Sequence, residues 1–310
     1  MNIGIFNTRG INQTEHFIPL EIEELRKQGH QVELYWVKGR HPTQEEVKQM
    51  DFAVYHFVPT AVHFGDMGIP YCILPTANDI FPNNGDILKL CDMGYPKCSL
   101  NTSNEDNLKF IGYQSFYHKR KYEEWGIKHP IVHIPHCVRT NLFKRRTLYN
   151  PSGKIIAGGR LIPKKGLDRL KGVENLTIFG DGPLKDSLVS LLPTSHFTGY
   201  LDGNQLKDLF EESSVYLFPA IITPEGDSEG ISNSIKEAML MELQVICSPI
   251  AGNVEFENVS FLSDWNKINE VICNIPKEAN MKGRKEILNN FSPKTCMNKL
   301  LEAIEKWNVH

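Results

Sequence analysis

The stretch PAIITPEGDSEGISNSIKEAMLMELQ, residues 219–244, decides the fold. Short apolar runs suited to buried strands flank it at 215–218 and 245–247, and its second half has the composition of a helix. A strand, a loop, a helix and a further strand in this order form the repeating unit of a parallel α/β sheet. The loop carries Glu229 and the helix carries Glu237. We therefore expect both carboxylates near the carboxyl end of a strand, where doubly wound sheets bind ligands.

The rest of the chain repeats this alternation of strands and helices. In the N-terminal half, the predicted strands are 2–6, 31–37, 52–57, 71–74, 97–101 and 131–135, and the predicted helices are 14–28 and 115–125. A second series follows the linker at 150–153. Its predicted strands are 154–157, 176–179, 196–198, 215–218 and 245–247, with helices at 167–172, 184–192, 205–212 and 233–243. The pattern predicts an α/β protein with two Rossmann-like, doubly wound domains that face a cleft.

The length of the chain agrees with two domains, because 310 residues are too many for one ordinary core. We place the first domain at residues 1–149 and the second at residues 150–292. Residues 293–310 form a last helix, since Ser292 is a favoured N-cap and Pro293 suits the first helical position.

The total charge and the cysteine content exclude several classes of protein. The formal net charge of −3 argues against a nucleic-acid binder. The seven cysteines lack the spacing of a zinc site and favour reduced thiols over a disulfide framework. The start of the chain lacks the features of a signal peptide, and no uncharged apolar run reaches the roughly 18 residues of a membrane span. We expect a cytoplasmic protein.

A first candidate binding motif follows the strand at 154–157. It reads Gly158-Gly159-Arg160 and continues to Lys165-Gly166. Glycines allow the backbone to approach a ligand closely, and the cations can offset negative charge that develops on a diphosphate leaving group. The alternative is a surface turn whose cations are solvated.

Two further turns follow strands of the second half. Gly180, Gly182 and Pro183 form a G-D-G-P turn, which is also ordinary chemistry for a strand-to-helix connection. Gly199 and Leu201 lie in a third such turn, for which an ordinary strand exit is an equal alternative.

Taken in order, these motifs and the E-G-I-S-N-x-x-x-E-A-M run that starts at Glu229 resemble the donor site of retaining glycosyltransferases of family 4. These enzymes, the glycosyl transferases group 1, have the GT-B fold and transfer a sugar from a nucleotide sugar with retention of configuration. The resemblance implies that the second domain binds the donor and the first binds a glycan, lipid-linked or other hydroxyl acceptor. It also implies that the last helix packs back onto the first domain.

The resemblance assigns roles residue by residue. Arg160 and Lys165 would stabilise the leaving diphosphate, Glu229 would bind hydroxyls of the donor sugar, and these three form the candidate catalytic set. Glu237 would accept hydrogen bonds from the ribose. The remaining donor-binding candidates are backbone groups at the strand exits and at the start of the helix: Gly159, Gly199, Leu201, Gly230, Ile231, Ser232 and Asn233. Two alternatives stay open, a solvated loop acid for Glu229 and a capping box with Ser234 for Glu237.

The resemblance is thinner in the N-terminal half. Gly10 is what remains of a glycine-rich first loop, and Asn78 and Asp79 follow the fourth strand, so these three are the acceptor-side candidates. No histidine precedes Asp79 where many family members have one, and we assign no histidine base. Arg139 stands where the family usually has Asp.

The sequence contains no D-x-D motif, so we expect no metal and no cofactor at the donor diphosphate. In the front-face route proposed for the family, an oxygen of the leaving phosphate removes the proton of the acceptor. Two other functions remain possible on the same fold. One is a sugar-nucleotide-binding protein without catalysis, and the other is a nucleotide-sugar epimerase.

Residues 109–146 are strongly basic, with nine Lys and Arg against two acids, hence +7. Within this stretch, Lys119–Lys121 lie on a predicted helix with aromatic neighbours. Such a surface could contact the inner face of a membrane peripherally, or bind an acidic acceptor. The alternative is a solvated face of an ordinary helix.

Overall fold

A computed structural model of the chain describes residues 1–10, 16–64, 67–75, 107–124 and 126–307. It divides the chain into two compact units. The first comprises Met1–Val138 together with Phe291–His310, and the second comprises Arg139–Asn290. None of the helices in the described ranges is both long and apolar enough to cross a bilayer.

The described part of the first unit contains a parallel sheet in the order β2-β1-β3-β4-β5-β6. The strands are β1 Asn2–Asn7, β2 Gln31–Trp36, β3 Phe52–His56, β4 Tyr71–Leu74, β5 Leu108–Tyr113 and β6 Ile131–His133. The helices are α1 Phe17–Lys27, α2 Gln44–Gln49, α3 Val58–Phe64 and α4 Phe116–Glu124. In this doubly wound order the chain direction across the sheet reverses between β1 and β3, which is where such sheets bind ligands.

One of the two apolar clusters of the first unit lies between the sheet and helix α1. Phe17, Ile18 and Ile22 of α1 are buried, and a left-handed Gly29 with φ of 86° follows the end of the helix. Residues of the last helix belong to the same apolar cluster, among them Leu300. The last part of the chain thus packs in the first unit.

Three elements of the first unit differ from the sequence prediction. The strand predicted at 97–101 lies outside the described residues. Strand β5 was not predicted, because Lys109 and Gly112 interrupt its apolar run, although five of its six residues are buried. Helices α2 and α3 were also missed. Both are short, and α2 is stabilised by a capping box between Thr43 and Glu46 rather than by a buried face.

The second unit contains another parallel sheet, in the order β12-β11-β10-β7-β8-β9. Its strands are β7 Lys154–Gly158, β8 Leu176–Phe179, β9 His196–Gly199, β10 Ser213–Phe218, β11 Gln244–Cys247 and β12 Ser260–Phe261. Its helices are α5 Lys185–Leu191, α6 Gly203–Glu211, α7 Asn233–Leu240, α8 Ile268–Asn274 and α9 Met281–Phe291, and α10 Pro293–Trp307 follows in the first unit. This is the dinucleotide-binding strand order, and its direction reverses between β7 and β10.

Residues 139–149 belong to the second unit, although the sequence placed the boundary after 149. Arg145 explains part of this difference. Its buried guanidinium donates hydrogen bonds to the carbonyls of Phe210, Glu211, Ser213 and Met241, at 2.7–3.2 Å. A local sequence pattern cannot reveal such contacts, because the acceptors lie far along the chain. The basic stretch 109–146 is therefore not one surface of the first unit.

Candidate active site

The candidate site lies at the carboxyl ends of β7 and β10, which pair directly. Strand β7 leads into Gly159 and Arg160, and then into a single 3₁₀ turn, Pro163–Lys165. Strand β10 leads into the loop that carries Glu229 and ends at helix α7. The reversal of chain direction between β7 and β10 opens a crevice for a ligand at this edge. Topology therefore places the two main sequence motifs side by side.

Lys165 and Glu229 form an ion pair. The ammonium of Lys165 lies 3.3 Å from Oε1 of Glu229, and the two side chains remain 12% and 16% exposed. The same ammonium lies 4.8 Å from the ring centroid of Phe218, the last residue of β10. A Cβ added to Gly159 would lie 3.6 Å from Cε of Lys165. The structure thus brings Gly159, Lys165 and Glu229 together, and a ligand can reach both charges.

Lys164, the neighbour of Lys165, contacts the loop that carries Glu229. It is only 5% exposed, and its ammonium lies 3.0 Å from Oδ1 of Asp227 and donates to the carbonyl of Ser228 at 3.3 Å. The backbone carbonyl of Lys164 accepts a hydrogen bond from Ile221. These contacts fix the segment just before Glu229. The family resemblance selected Lys165 and not Lys164, and the structure shows that Lys164 is buried beside the loop.

Arg160 is exposed at the end of β7. Within the residues that the structure describes, its guanidinium has no ion pair and no hydrogen bond to another side chain. In the described part of the chain, no ion pair or hydrogen bond joins it to Glu229. An unengaged arginine fork at a strand exit is well suited to bind a planar anion such as a phosphate.

Helix α7 begins after Ser232, which is its N-cap. The first amides of a helix have no partner within it, and together with the helix dipole they favour an anion at this end. Near this end, the hydroxyl of Tyr216 donates to Ser234 Oγ at 2.8 Å. The backbones of Gly230 and Gly252 pack closely, since a Cβ added to Gly252 would lie 2.7 Å from the carbonyl oxygen of Gly230. Gly230, Ile231, Ser232 and Asn233 thus form the turn into α7.

Glu237 is not a capping residue, so the capping-box alternative with Ser234 is wrong. Its carboxylate instead accepts a hydrogen bond from Nη2 of Arg139 at 2.9 Å. Glu237 is 8% exposed and Arg139 is 17% exposed, and the guanidinium also lies 4.9 Å from the ring centroid of Phe143. Burial raises the pKa of Glu237, and the charge of Arg139 opposes that rise. The sequence showed that Arg139 stands where the family usually has Asp, but it did not predict that Arg139 pairs with Glu237.

The G-D-G-P turn has a packing role. A Cβ added to Gly180, which has a φ of 105°, would lie 1.8 Å from the carbonyl oxygen of Gly159. A Cβ at Gly182 would lie 2.6 Å from the carbonyl oxygen of Leu161. These glycines let the exits of β8 and β7 pack against each other. Gly199 is different, because it has a φ of 75° and open space around it. It is the last residue of β9, two strands from β7, and Leu201 follows the strand.

The acceptor-side candidates are only partly described. Gly10 follows β1, and a Cβ there would lie 3.2 Å from the ring of Trp36. Asn78 and Asp79 lie outside the described residues. In Lys119–Lys121 of helix α4, Lys119 lies 3.6 Å from Glu123, and Lys121 lies 2.6 Å from Glu124. Two of these three cations are therefore balanced by acids of the same helix.

Comparison with known proteins identifies a family that part of the second unit resembles. Residues 155–273 match the family described as Glycosyl transferases group 1. A GDP-mannose-dependent alpha-mannosyltransferase of Mycobacterium tuberculosis (strain CDC 1551 / Oshkosh) is 35% identical over 139 residues, which are 43% of this chain and 34% of that protein. One of the same name from Mycolicibacterium smegmatis is 36% identical over 115 residues, 35% of this chain and 28% of that protein. The chain thus spans about a third of the length of these curated relatives.

Solved structures extend the likeness to nearly the whole chain. AviGT4, a glycosyltransferase involved in avilamycin A biosynthesis, aligns with a TM-score of 0.66 at 14% identity and covers 98% of this chain and 97% of its own. Anabaena Alr3699/HepE, solved in complex with UDP, aligns with a TM-score of 0.70 at 14% identity and covers 99% and 100%. At this identity the likeness concerns the fold, which is GT-B. The fold class and the family resemblance predicted from the sequence are both confirmed.

Proposed function

Because residues 155–273 match the glycosyl transferases group 1 and the chain has the GT-B fold, we propose that it is a retaining glycosyltransferase. It transfers a hexose from a GDP- or UDP-linked donor to a hydroxyl of a glycan, lipid-linked or other acceptor. The mannosyltransferases among the relatives are named as GDP-mannose-dependent, which makes GDP-mannose the first donor to test.

The ion pair between Lys165 and Glu229 is the observation that carries this proposal. A sugar diphosphate needs cations for its phosphates and a hydrogen-bond acceptor for its sugar hydroxyls. Both kinds of group meet at the edge of the sheet where such folds bind nucleotides. An ionised carboxylate accepts hydrogen bonds only, which suits Glu229 for hydroxyl groups of the sugar.

Charge stabilisation is the main chemical contribution of the second unit. As the bond between sugar and phosphate breaks, negative charge grows on the diphosphate. Lys165, Arg160 and the amides at the start of α7 offset that charge without a metal ion, in agreement with the lack of a D-x-D motif. An oxygen of the departing phosphate takes the proton of the acceptor hydroxyl, on the same face of the sugar, so that the configuration is retained.

Glu237 binds the ribose of the donor. Its carboxylate is paired with Arg139 and nearly buried, so the ribose hydroxyls must take over or share the acceptor oxygens that Arg139 now holds. The charge of Arg139 opposes the rise in the pKa of Glu237 that burial causes, because a nearby cation favours the charged form of an acid.

The test begins with thermal unfolding of the purified chain against GDP-mannose, GDP-glucose, UDP-glucose, UDP-galactose and UDP-N-acetylglucosamine. A productive donor raises the unfolding temperature, since a ligand that binds only the folded state stabilises it. The same donor is then incubated without acceptor, and released nucleotide and sugar are measured by chromatography. Retention is tested by the anomeric configuration of the glycoside, observed by NMR.

Each rival function gives a different result. A binding protein without catalysis shows thermal stabilisation but neither nucleotide release nor a glycoside with any acceptor tested. An epimerase converts the donor into an isomeric nucleotide sugar. No stabilisation by any donor of the panel, and no turnover, would contradict the proposal as a whole.

The location of the enzyme follows the same proposal. We propose a cytoplasmic enzyme, with peripheral contact to the inner face of a membrane if the acceptor is lipid-linked. The contact would involve helix α4, where Phe116 is half exposed beside Lys119–Lys121. Co-sedimentation with anionic vesicles, compared with neutral ones, tests this contact.

A further inference from the structure

A cluster of three titratable side chains lies inside the first unit, outside the site described above. Glu21 comes from helix α1, His56 ends strand β3, and His136 follows strand β6. Their side chains are 2%, 0% and 7% exposed. One carboxylate oxygen and two imidazole nitrogens, all within 4.8 Å of one another, form the cluster. The sequence gives no hint of it, because the three residues are far apart along the chain.

The ligand atoms are close to one another but do not point at one another. Nε2 of His56 lies 2.8 Å from Oε2 of Glu21, which is hydrogen-bond distance. Even so, neither of these atoms has a partner with hydrogen-bond geometry among the residues that the structure describes. Nδ1 of His136 lies 3.8 Å from Oε1 of Glu21, beyond hydrogen-bond distance. A metal ion between these groups would supply the partner that Nε2 of His56 and Oε2 of Glu21 lack among the described residues.

The charge of the cluster also requires a counterpart. The side chain of Glu21 is only 2% exposed. A buried carboxylate is very costly unless a cation compensates it. The described neighbours within the cluster are imidazoles, which are neutral when they act as ligands.

We propose that Glu21, His56 and His136 bind a divalent transition-metal ion, with Zn²⁺ as the ion that these ligands suit best. Two imidazoles and one carboxylate are a donor set that zinc accepts, with water in the remaining position. Hard oxygen-only cations such as Mg²⁺ and Ca²⁺ prefer carboxylates and carbonyls instead. The ion links α1, the end of β3 and the segment after β6, so its role in the first unit is structural.

Gln114 supplies the outer partner of the site. Its Nε2 lies 2.5 Å from Nε2 of His136 and donates to the carbonyl of Pro75 at 2.6 Å. A histidine that binds metal through Nδ1 carries its proton on Nε2 and needs an acceptor there. In the present arrangement Gln114 donates to Nε2 of His136, so the imidazole proton lies on Nδ1. Metal binding through Nδ1 would require that proton to move to Nε2 and the Gln114 amide to turn its oxygen toward His136, which breaks the bond to Pro75.

This inference concerns the first unit and does not rest on the proposed transferase activity. Untagged protein is stripped with a chelator, exchanged into metal-free buffer and titrated with Zn²⁺ in competition with a chromophoric chelator. We expect one tightly bound ion per chain by elemental analysis, and a rise in unfolding temperature on loading. With Co²⁺ as a probe, the spectrum should lack a thiolate charge-transfer band, which excludes binding by cysteine.

Substitutions of the three proposed ligands test where the ion binds. Glu21→Gln, His56→Gln and His136→Gln should each weaken Zn²⁺ binding by more than about 100-fold, since even outer-shell changes cost about 10- to 100-fold. Glu23→Gln on the same helix should have no effect, as Glu23 is exposed and paired with Lys27. His63→Gln is the critical control, because exposed His63 and His41, with ring centroids 5.3 Å apart, could bind zinc at the surface.

Three results would overturn the proposal: no stoichiometric binding by the stripped wild type, loss of binding in His63→Gln, or unchanged affinity in the three cluster variants. Circular dichroism shows whether each variant is folded. If the cluster variants do not fold, the wild type still decides, through the stoichiometry of Zn²⁺ and the ligand signature of the Co²⁺ spectrum.

Discussion

Replacing Lys165 by Ala should abolish most of the turnover and leave the fold nearly unchanged. In the transition state its ammonium faces growing charge on the diphosphate. Removal of one such charge stabiliser lowers the rate about 10²- to 10³-fold, which corresponds to about 2.7–4 kcal/mol. In the free protein the same ammonium only pairs with Glu229, at 3.3 Å.

The two effects differ in size because water screens the ion pair. At 3.3 Å the gross Coulomb attraction is about 5 kcal/mol for an effective dielectric constant near 20. Desolvation, side-chain ordering and screening reduce the net value of a partly exposed pair to about 0.2–1 kcal/mol. For a unit the size of Arg139–Asn290, that corresponds to a fall in Tm of no more than about 4 °C.

The assay compares the initial rate of nucleotide release at saturating donor with Tm, for the wild type, Lys165→Ala and Lys165→Arg. Lys154→Ala is the control, because Lys154 forms a similar ion pair with Glu212, at 2.6 Å, at the opposite end of β7. We expect a large loss of rate in Lys165→Ala, a partial recovery in Lys165→Arg and no change in Lys154→Ala. An unchanged rate in Lys165→Ala, or a loss that parallels unfolding, would refute the assigned role.

Three further predictions concern the second unit. Burial raises the pKa of Glu237, so nucleotide affinity measured by calorimetry should begin to fall on acidification at a higher pH than for an ordinary carboxyl. Glu237→Gln should bind the nucleotide weakly and without this pH dependence. An identical pH profile in both proteins would exclude Glu237 as the ribose acceptor. Gly180→Ala should destabilise the fold far more than Gly172→Ala in urea unfolding, because both glycines have positive φ but only Gly180 faces a backbone oxygen, at 1.8 Å from an added Cβ. Arg145→Met leaves several buried carbonyls without a donor and should lower the unfolding free energy by at least about 3 kcal/mol. Arg146→Met is the control, because its side chain is 66% exposed, and it should lower the unfolding free energy by less than about 1 kcal/mol. Equal costs would show that the carbonyl contacts of Arg145 contribute nothing.

The sequence predicted most strands of both sheets, although not β5 or β12, and it gave the order of the donor-side motifs, because both depend on local order along the chain. Short apolar runs separated by helical segments can only form parallel strands with crossover helices, and the ends of those strands then lie at one edge. This is why Lys165 and Glu229 could be named as neighbours from motifs that are more than sixty residues apart. Strand β5 was not recognised because the charged Lys109 interrupts an otherwise buried apolar run.

Only the tertiary structure decided which charges are paired and which are free to act. Lys164 and Lys165 are adjacent and chemically identical, yet one is buried under the loop and the other faces the crevice. Arg139 and Arg145, counted in the sequence as part of a basic surface, are instead committed to Glu237 and to buried carbonyls. The cluster of Glu21 with His56 and His136 has no local signature at all. The physical reason is the same throughout: charge interactions depend on distance and burial in space, and a pattern along the chain records neither.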